Sequence, residues 1–359
     1  MNRISRVTNG VIKHPLLERA RDIFIPLCRD AADGIVLLLL GPTQCAKSII
    51  FHEVVPLLKK SFQDNRPGAI PVVDLQIETV SEGRTKPKWL GIELLKALNH
   101  PIYRHIGSFE ENEHYFPSKG RDESTIRIAL KEALTHRFTR RTCLDEAHLL
   151  TRTKDPELRA AILESIKSTC AIDRSLIACG GYEMAYKGLF DSAHFCGRVI
   201  SFDFGHYSAN RPDDIESWAR VLKTYSGKLD LKPKTLLVDE AINLLHWNNG
   251  TVGLLDKHLW SCSIQAKGRQ QPIDKAILRA CAPPERERKA IADDIKNGVD
   301  ALRPCSCFSN NSKEQSASRP PREKNSTEAE KVDGRLERRP FERLPNRNAA
   351  MEVTLHDDD

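Results

Sequence analysis

The sequence lacks a hydrophobic run long enough to cross a membrane. A transmembrane helix needs roughly 20 consecutive apolar residues, whereas the longest candidate, residues 35–40, is ended by Gly41 and Pro42. The N-terminus carries Arg3 and Arg6 without an apolar block behind them, which is not typical of a secretory signal. These absences predict a soluble, cytoplasmic protein that does not act at a membrane.

The sequence also lacks a Cys-x-x-Cys pair, a dinucleotide-binding fingerprint and a nucleophile triad. Its ten cysteines are scattered over 359 residues, which predicts reduced thiols rather than a disulfide framework. Cys305 and Cys307 lie in polar sequence and are not expected to bind a metal. The net charge of +6 permits contact with nucleic acid but is too small to demonstrate it.

What the sequence does contain is an alternation of strand-like and helix-like segments. Continuous apolar runs of strand length are typical of strands buried on both faces of a parallel sheet. The predicted strands are residues 35–40, 70–77 and 175–178, and the predicted helices are residues 49–58, 89–98, 126–134 and 158–166. This alternation predicts an α/β fold with a parallel, doubly wound sheet.

Four regions follow from the patterns along the chain. Helical spacing of apolar residues predicts an N-terminal helical lead-in over residues 1–34, followed by the α/β domain at 35–207. Apolar residues in 215–222, 236–245 and 254–260 predict the short helices of a lid domain at 208–302. Residues 303–359 are charged and poor in apolar residues, which predicts a disordered tail because little burial offsets the entropy of ordering.

A phosphate-binding motif follows the first predicted strand and opens a helix, which is the context that a Walker A motif requires. Lys47 is expected to neutralise the β- and γ-phosphates of ATP, and Ser48 to ligate Mg²⁺. Ala46 stands where the pattern expects Gly, so its Cβ would crowd the loop if the backbone there has a positive φ. The predicted nucleotide-binding residues are Gly41, Pro42, Thr43, Gln44, Cys45, Ala46, Lys47, Ser48 and Ile49.

An Asp-Glu pair in residues 142–148 supplies the candidate hydrolytic carboxylates. Asp145 is expected to hold Mg²⁺ through its water shell, and Glu146 to orient and polarise the attacking water. The strand before the pair is weak, because residues 140–142 are Arg-Arg-Thr. Taken alone, the pair is equally consistent with the solvated start of a helix, where acidic residues are favoured; the motif at Lys47 makes the catalytic interpretation the better one.

Four further residues are weaker candidates. Arg198 is interpreted as an arginine finger that stabilises transition-state charge at a neighbour's site, with an arginine covering the sheet edge as the alternative and Arg174 as a weaker competitor. Cys179 follows the predicted strand at 175–178, at the position where a polar residue would sense the γ-phosphate of the nucleotide. His148 is interpreted as a packing or hydrogen-bonding residue rather than a ligand or base.

With these motifs placed, the chain resembles the TnsC/TniB family of AAA+ ATPases, which regulate transposons that carry a DDE transposase. The likeness covers about residues 10–300 and includes residues 144–150 (Leu-Asp-Glu-Ala-His-Leu-Leu), 180–183 (Gly-Gly-Tyr-Glu) and 250–254 (Gly-Thr-Val-Gly-Leu). Residues 272–274 and 283–298 are similar to the helical end of regulators linked to CRISPR effectors. The chain departs from the family at Ala46, at Gly181 in place of Thr, and in lacking a sensor arginine near Gly253.

The resemblance implies an ATP-dependent, Mg²⁺-dependent regulator that forms a ring or helical filament on duplex DNA. Its further partners would be a transposase and a TniQ-like target-selection protein. The expected DNA-binding residues are Arg84, Lys86, Lys88, Lys119 and Arg121, with solvated basic loops as the alternative. A nucleotide-gated scaffold with little turnover stays open as an alternative, as does another AAA+ ATPase such as a helicase loader or a signalling NTPase.

Overall fold

The computed structural model describes residue 7 and residues 10–78, 87–103, 122–152, 155–170, 173–189 and 196–303. All of these residues belong to one compact unit, Met1–Asn310. Within the described ranges, no helix combines the length and the apolar character needed to cross a membrane.

A five-stranded sheet lies at the centre of the fold, and all of its paired strands run parallel. The strand order is β2-β3-β4-β1-β5, so β1 lies between β4 and β5. The strands are β1 (Val36–Gly41), β2 (Val72–Gln76), β3 (Arg141–Asp145), β4 (Ser175–Gly181) and β5 (Val199–Asp203). The predicted parallel α/β fold is confirmed, and β1, β2 and β4 correspond to the three predicted strands.

Helices cover both faces of the sheet, and the side chains of β1 alternate between them. Leu37 and Leu39 pack with the N-terminal helices and α3, whereas Leu38 and Leu40 pack with α4, α5 and α6. The helices of this part are α1 (Pro15–Arg19), a π-helical turn (Ala20–Phe24), α2 (Ile25–Asp30), α3 (Lys47–Ser61), α4 (Pro87–Ala97), α5 (Glu123–His136) and α6 (Pro156–Thr169). The sheet is therefore doubly wound, and α3–α6 correspond to the four predicted helices.

A buried arginine explains how β3 forms despite its unpromising sequence. Arg141 is 3% exposed, and its guanidinium donates hydrogen bonds to the carbonyl oxygens of Ala31 (2.9 Å) and Arg140 (3.1 Å). It also contacts Asp33 Oδ1 at 3.3 Å and lies over the Phe62 ring at 4.5 Å. Carbonyls at the C-terminal end of a helix have no partner within it, so Arg141 joins the end of α2 to the start of β3.

The helices after β5 form a core of their own. Trp218, Leu255 and Ile277 are buried in it, and Trp218 Nε1 donates a hydrogen bond to the Ala241 carbonyl at 3.1 Å. These helices are α7 (Pro212–Ser226), α8 (Leu236–Asp239), α9 (Ala241–Trp247), α10 (Val252–Gly268) and α11 (Lys275–Ala280). The predicted helix at 236–245 is interrupted at Glu240, and the predicted domain boundaries stay predictions.

The last described helix, α12 (Glu285–Leu302), returns to the sheet. Its buried Ile295 and Leu302 pack into the cluster between the sheet and α4–α6 rather than into the core of α7–α11. Gly298 lies against the ring of Tyr182, where a Cβ would overlap it. Within the range predicted as a lid, α12 therefore packs on the α/β part of the chain.

Candidate nucleotide site

The predicted phosphate-binding loop (residues 41–48, here the phosphate loop) leaves the sheet at the end of β1. A Cβ on Gly41 would lie 2.9 Å from Phe204 Cβ and 3.1 Å from Cys45 Sγ. Such distances are too short for ordinary packing, so only glycine fits at this turn without movement of its neighbours. Phe204 itself is fixed by its backbone N–H, which donates to the Leu40 carbonyl at 2.8 Å.

The loop backbone adopts the left-handed conformation at Ala46, with φ of +80°, and at Gln44, with φ of +60°. The sequence predicts that a Cβ at Ala46 crowds the loop when φ is positive, and the structure has a positive φ there. A left-handed conformation brings Cβ of an L-residue close to the following carbonyl oxygen and costs about 1–2 kcal/mol. The loop is therefore strained at the residue that immediately precedes α3.

Replacing Ala46 by Gly is expected to raise the free energy of unfolding by about 1 kcal/mol, because glycine adopts a positive φ without a Cβ penalty. Urea denaturation of the two proteins measures the change. The matched control is Ala292→Gly at an exposed position within α12, where glycine should lower stability by about 1 kcal/mol. A loss of stability at position 46 like that at position 292 would contradict the strain described here.

Lys47 and Ser48 open α3 directly beneath this loop. The Lys47 ammonium donates to the carbonyl oxygens of Pro42 (2.6 Å) and Gly41 (3.0 Å). The first N–H groups of a helix have no partners within it and, with the helix dipole, favour anions. The start of α3 thus combines a cation, a hydroxyl and helix N–H groups at one point.

Asp145 and Glu146 stand at the end of β3, at the same edge of the sheet as the phosphate loop. Asp145 is 5% exposed, and its Oδ1 accepts a hydrogen bond from the Glu146 backbone N–H at 2.8 Å. Glu146 has a left-handed backbone, with φ of +54°. Burial, and then the negative charge of Asp145, raise the pKa of the Cys179 thiol well above its ordinary value, so Cys179 stays protonated beside the pair.

One cavity of about 970 Å³ joins the two motifs. Its walls come from the phosphate loop, from the ends of β3 and β4, from the segment before α1, from the start of α10 and from the middle of α12. Lining residues at the motifs include Thr43–Ile49, Asp145, Glu146 and Cys179. The structure therefore brings the predicted carboxylates and all the predicted nucleotide-binding residues except Gly41 and Pro42 to the walls of one cavity.

Helix α10 begins in contact with the phosphate loop. The Gly253 backbone N–H donates to the Gln44 carbonyl at 3.0 Å, and a Cβ on Gly253 would overlap that oxygen. Lys257, one turn later, also lines the cavity. The sequence has no arginine near Gly253, and Lys257 is not among the residues predicted for the site. Its position four residues after Gly253, on the same helix face, is the sequence signal that indicates it.

The segment before α1 forms an uncharged wall of the cavity and is not among the residues predicted for the site. Val11, Ile12 and His14 line the cavity there. Burial, together with the charge of Arg21, lowers the pKa of His14 to about 4, so its ring is neutral at neutral pH. Its Nδ1 lies 3.0 Å from the Tyr207 hydroxyl. No local motif in the sequence indicates this wall, because it depends on contacts between distant segments.

The remaining predicted residues lie elsewhere. Arg198 is exposed and directly precedes β5. It therefore lies at the N-terminal ends of the parallel strands, whereas the phosphate loop of the same chain follows the C-terminal end of β1. Arg174 is buried, with Nε 3.2 Å from Asp173 Oδ1. Lys88 lies half-buried in the first turn of α4. The predicted DNA-binding residues Arg84, Lys86, Lys119 and Arg121 lie outside the described residues, as does the predicted tail after residue 303.

The order of the strands, the loop between β1 and α3, and the acidic pair after β3 together make this a parallel, doubly wound α/β fold with the predicted motifs at one end of its strands. The single cavity gives both predicted motifs access to the same ligand. This agrees with the fold class expected from the sequence.

No protein-family model matches the sequence, and no curated protein does. Among solved structures, the chain is similar to the ORC2 protein of Aeropyrum pernix, determined as ADPNP-ADP complexes, at 12% identity over 77% of this chain and 67% of that one, with a TM-score of 0.44. It is similar to Cdc6p from Pyrobaculum aerophilum at 17% identity over 73% and 65% of the two chains, with a TM-score of 0.45. The Walker-type ATPase PABY2304 of Pyrococcus abyssi is similar at 14% identity over 79% and 87%, with a TM-score of 0.36.

Proposed function

We propose that the chain binds and hydrolyses ATP. The observation that carries this proposal is the shared cavity, in which Lys47 and the start of α3 face the same space as Asp145 and Glu146. Lys47 would neutralise phosphate charge, and Glu146 would orient a water molecule and accept its proton. The neutral wall of Val11, Ile12 and His14 suits the base of the nucleotide.

The residues at the motifs also fit Mg²⁺. The ion prefers hard oxygen ligands and is usually bound by one or two carboxylates together with substrate phosphates. The Ser48 hydroxyl and the Asp145 carboxylate, with its water shell, are such groups and line the same cavity. Bound Mg²⁺ would offset the negative charge of the phosphates.

The finer proposal is that the chain is a regulator of the TnsC/TniB type. It rests on the motifs named above, on a candidate arginine finger and on a basic segment that includes Lys88. Arg198 and the phosphate loop of the same chain lie at opposite ends of the parallel strands. Arg198 can therefore act as an arginine finger only at the site of a neighbouring subunit, which is consistent with an oligomer. In this proposal the oligomer assembles on duplex DNA and links a transposase to a TniQ-like target-selection protein.

The alternative is a nucleotide-gated scaffold with little turnover. The strained backbone at Ala46, with φ of +80°, favours it, because strain in the phosphate loop disfavours the conformation that holds the nucleotide. A thiol, Cys179, in place of a polar sensor favours it as well. Turnover measured on the purified chain distinguishes the two functions.

Electron microscopy of the purified chain with duplex DNA tests the regulator. With a slowly hydrolysed ATP analogue we expect rings or filaments on DNA, and without nucleotide we expect none. Lys47→Ala should abolish the assemblies, because it removes the cation that neutralises the phosphates. Lys60→Ala, at the exposed end of α3, is the matched control and should assemble normally.

Monomers under all conditions, or rings that form equally well without DNA, would contradict the regulator and favour another AAA+ role. Assemblies that persist in the Lys47→Ala variant would contradict the dependence on ATP. A filament that forms with the analogue and stays intact for hours with ATP would favour the scaffold.

A further inference from the structure

A histidine outside the predicted catalytic set lies between two glutamates of the candidate site. His148 belongs to the 3₁₀ helix Ala147–Thr151 that begins directly after Glu146. Its Nδ1 lies 3.2 Å from Glu146 Oε2, and its Nε2 lies 3.6 Å from Glu183 Oε1. His148 is therefore the only residue with a described contact to both carboxylates.

Glu183 is a fixed partner in this arrangement. Arg152 donates to its Oε1 from Nε (2.9 Å) and from an Nη (2.8 Å), and Lys187 donates to its Oε2 at 2.6 Å. Burial acts to raise the pKa of Glu183, but the hydrogen bonds from Arg152 and Lys187 outweigh it and lower the pKa. Glu183 is thus an ionised carboxylate held by two cations.

A glycine near the end of β4 makes room for the histidine. A Cβ on Gly180 would lie 2.9 Å from the His148 backbone nitrogen and 3.3 Å from its Cβ. On Gly181 a Cβ would be in ordinary contact, 3.9 Å from His148 Cγ. The Gly-Gly-Tyr-Glu segment at 180–183, which nucleotide binding alone does not explain, therefore brings His148 and Glu183 against each other.

The protonation of His148 decides what it can do for Glu146. Burial lowers its pKa, although Glu146 and Glu183 act to raise it, so the ring is neutral at neutral pH and carries one N–H. Both Glu183 oxygens already accept hydrogen bonds, and the 3.6 Å contact to Nε2 is longer than a hydrogen bond. Nδ1 is fully buried and still lacks an aligned hydrogen-bond partner. The tautomer with the proton on Nδ1 is therefore favoured, because that N–H can be donated to Glu146.

We propose that His148, backed by Glu183, is a positioning residue that holds the Glu146 carboxylate in the orientation needed to align the attacking water. The proposal rests on the proposed ATP hydrolysis. A small rotation of the Glu146 carboxylate converts the 3.2 Å contact into an aligned hydrogen bond. The Glu146 backbone is fixed by its own hydrogen bond to Asp145. The Glu146 side chain can still rotate about its single bonds, and the hydrogen bond from His148 restricts that rotation.

The test compares two substitutions in the full-length chain. His148→Leu keeps volume but removes the N–H, and we expect kcat for ATP hydrolysis to fall about 10²-fold, the cost of misplacing a catalytic group by about 1 Å. His148→Asn keeps an N–H near the position of Nδ1 and is expected to recover at least about tenfold of that loss. KM and the affinity for a fluorescent ATP analogue should stay unchanged in both, which a general loss of structure would not allow.

The comparison also includes wild type, Glu146→Gln and the control His136→Leu. His136 is an exposed histidine at the end of α5. If wild type hydrolyses ATP no faster than Glu146→Gln, the proposed function and this inference both fail. If wild type hydrolyses ATP but His148→Leu is as fast, or His148→Asn is no faster than His148→Leu, only the inference is overturned. Should His148→Leu not fold, a loss in His148→Asn as large as in Glu146→Gln overturns it.

Discussion

Replacing Glu146 by Gln is expected to lower kcat for ATP hydrolysis by about 10²–10⁴-fold, the usual contribution of a general base. The amide has nearly the shape of the carboxylate but cannot accept the proton of the attacking water. The affinity for ATP should change little, because Lys47 and the start of α3 bind the phosphates. Phosphate release measures the first quantity, and equilibrium binding of a fluorescent ATP analogue measures the second.

Glu216→Gln is the matched control, because the Glu216 side chain is 71% exposed on α7. Its kcat should equal that of wild type. Unchanged turnover in Glu146→Gln would mean that Glu146 is not the base. A loss of binding together with turnover would mean instead that the substitution disturbs the phosphate loop.

Replacing Arg141 by Leu is expected to lower the free energy of unfolding by about 3 kcal/mol. The substitution removes the charged donor from the carbonyls at the end of α2, and each hydrogen bond to a charged group contributes about 1.5–3 kcal/mol. Leucine fills part of the volume, so the loss comes mainly from unpaired buried oxygens. Urea denaturation followed by circular dichroism measures the change.

Arg140→Leu is the neighbouring control, because the Arg140 side chain is 50% exposed and lies 3.7 Å from Asp33. Exposed ion pairs contribute about 0–1 kcal/mol, so this variant should be nearly as stable as wild type. Equal stability of Arg141→Leu and wild type would show that the cost of burying the guanidinium cancels its hydrogen bonds.

The sequence predicts most of the fold and the centre of the candidate site, because local patterns encode both. Residues 35–40 are apolar without interruption, which predicts β1, and the glycine and lysine that follow locate the phosphate loop at once. The Glu neighbour of Asp145 and its distance along the chain from Lys47 indicate that Asp145 belongs to the site. Each of these signals occupies a few consecutive residues.

The parts that could not be predicted depend on contacts between distant residues. Arg141 makes β3 appear weak, because the Ala31 carbonyl that accepts its hydrogen bond lies just after α2, more than a hundred residues earlier. The wall at Ile12 and His14 forms only when the N-terminal segment folds over the cavity. The role proposed for His148 depends on Glu183, which follows β4, whereas His148 follows β3.

Helix α12 has a mechanical consequence for the cavity, because it touches both of its sides. The Tyr186 hydroxyl donates to Asp294 Oδ1 at 2.7 Å on the sheet side, and Asn249 donates to the Arg288 carbonyl at 3.0 Å on the other. An 18-residue helix is a rigid rod of about 27 Å. Moving α10, together with Asn249 just before it, away from the sheet must therefore break one of these hydrogen bonds, at a cost of about 1 kcal/mol. Helix α12 thus resists opening of the cavity.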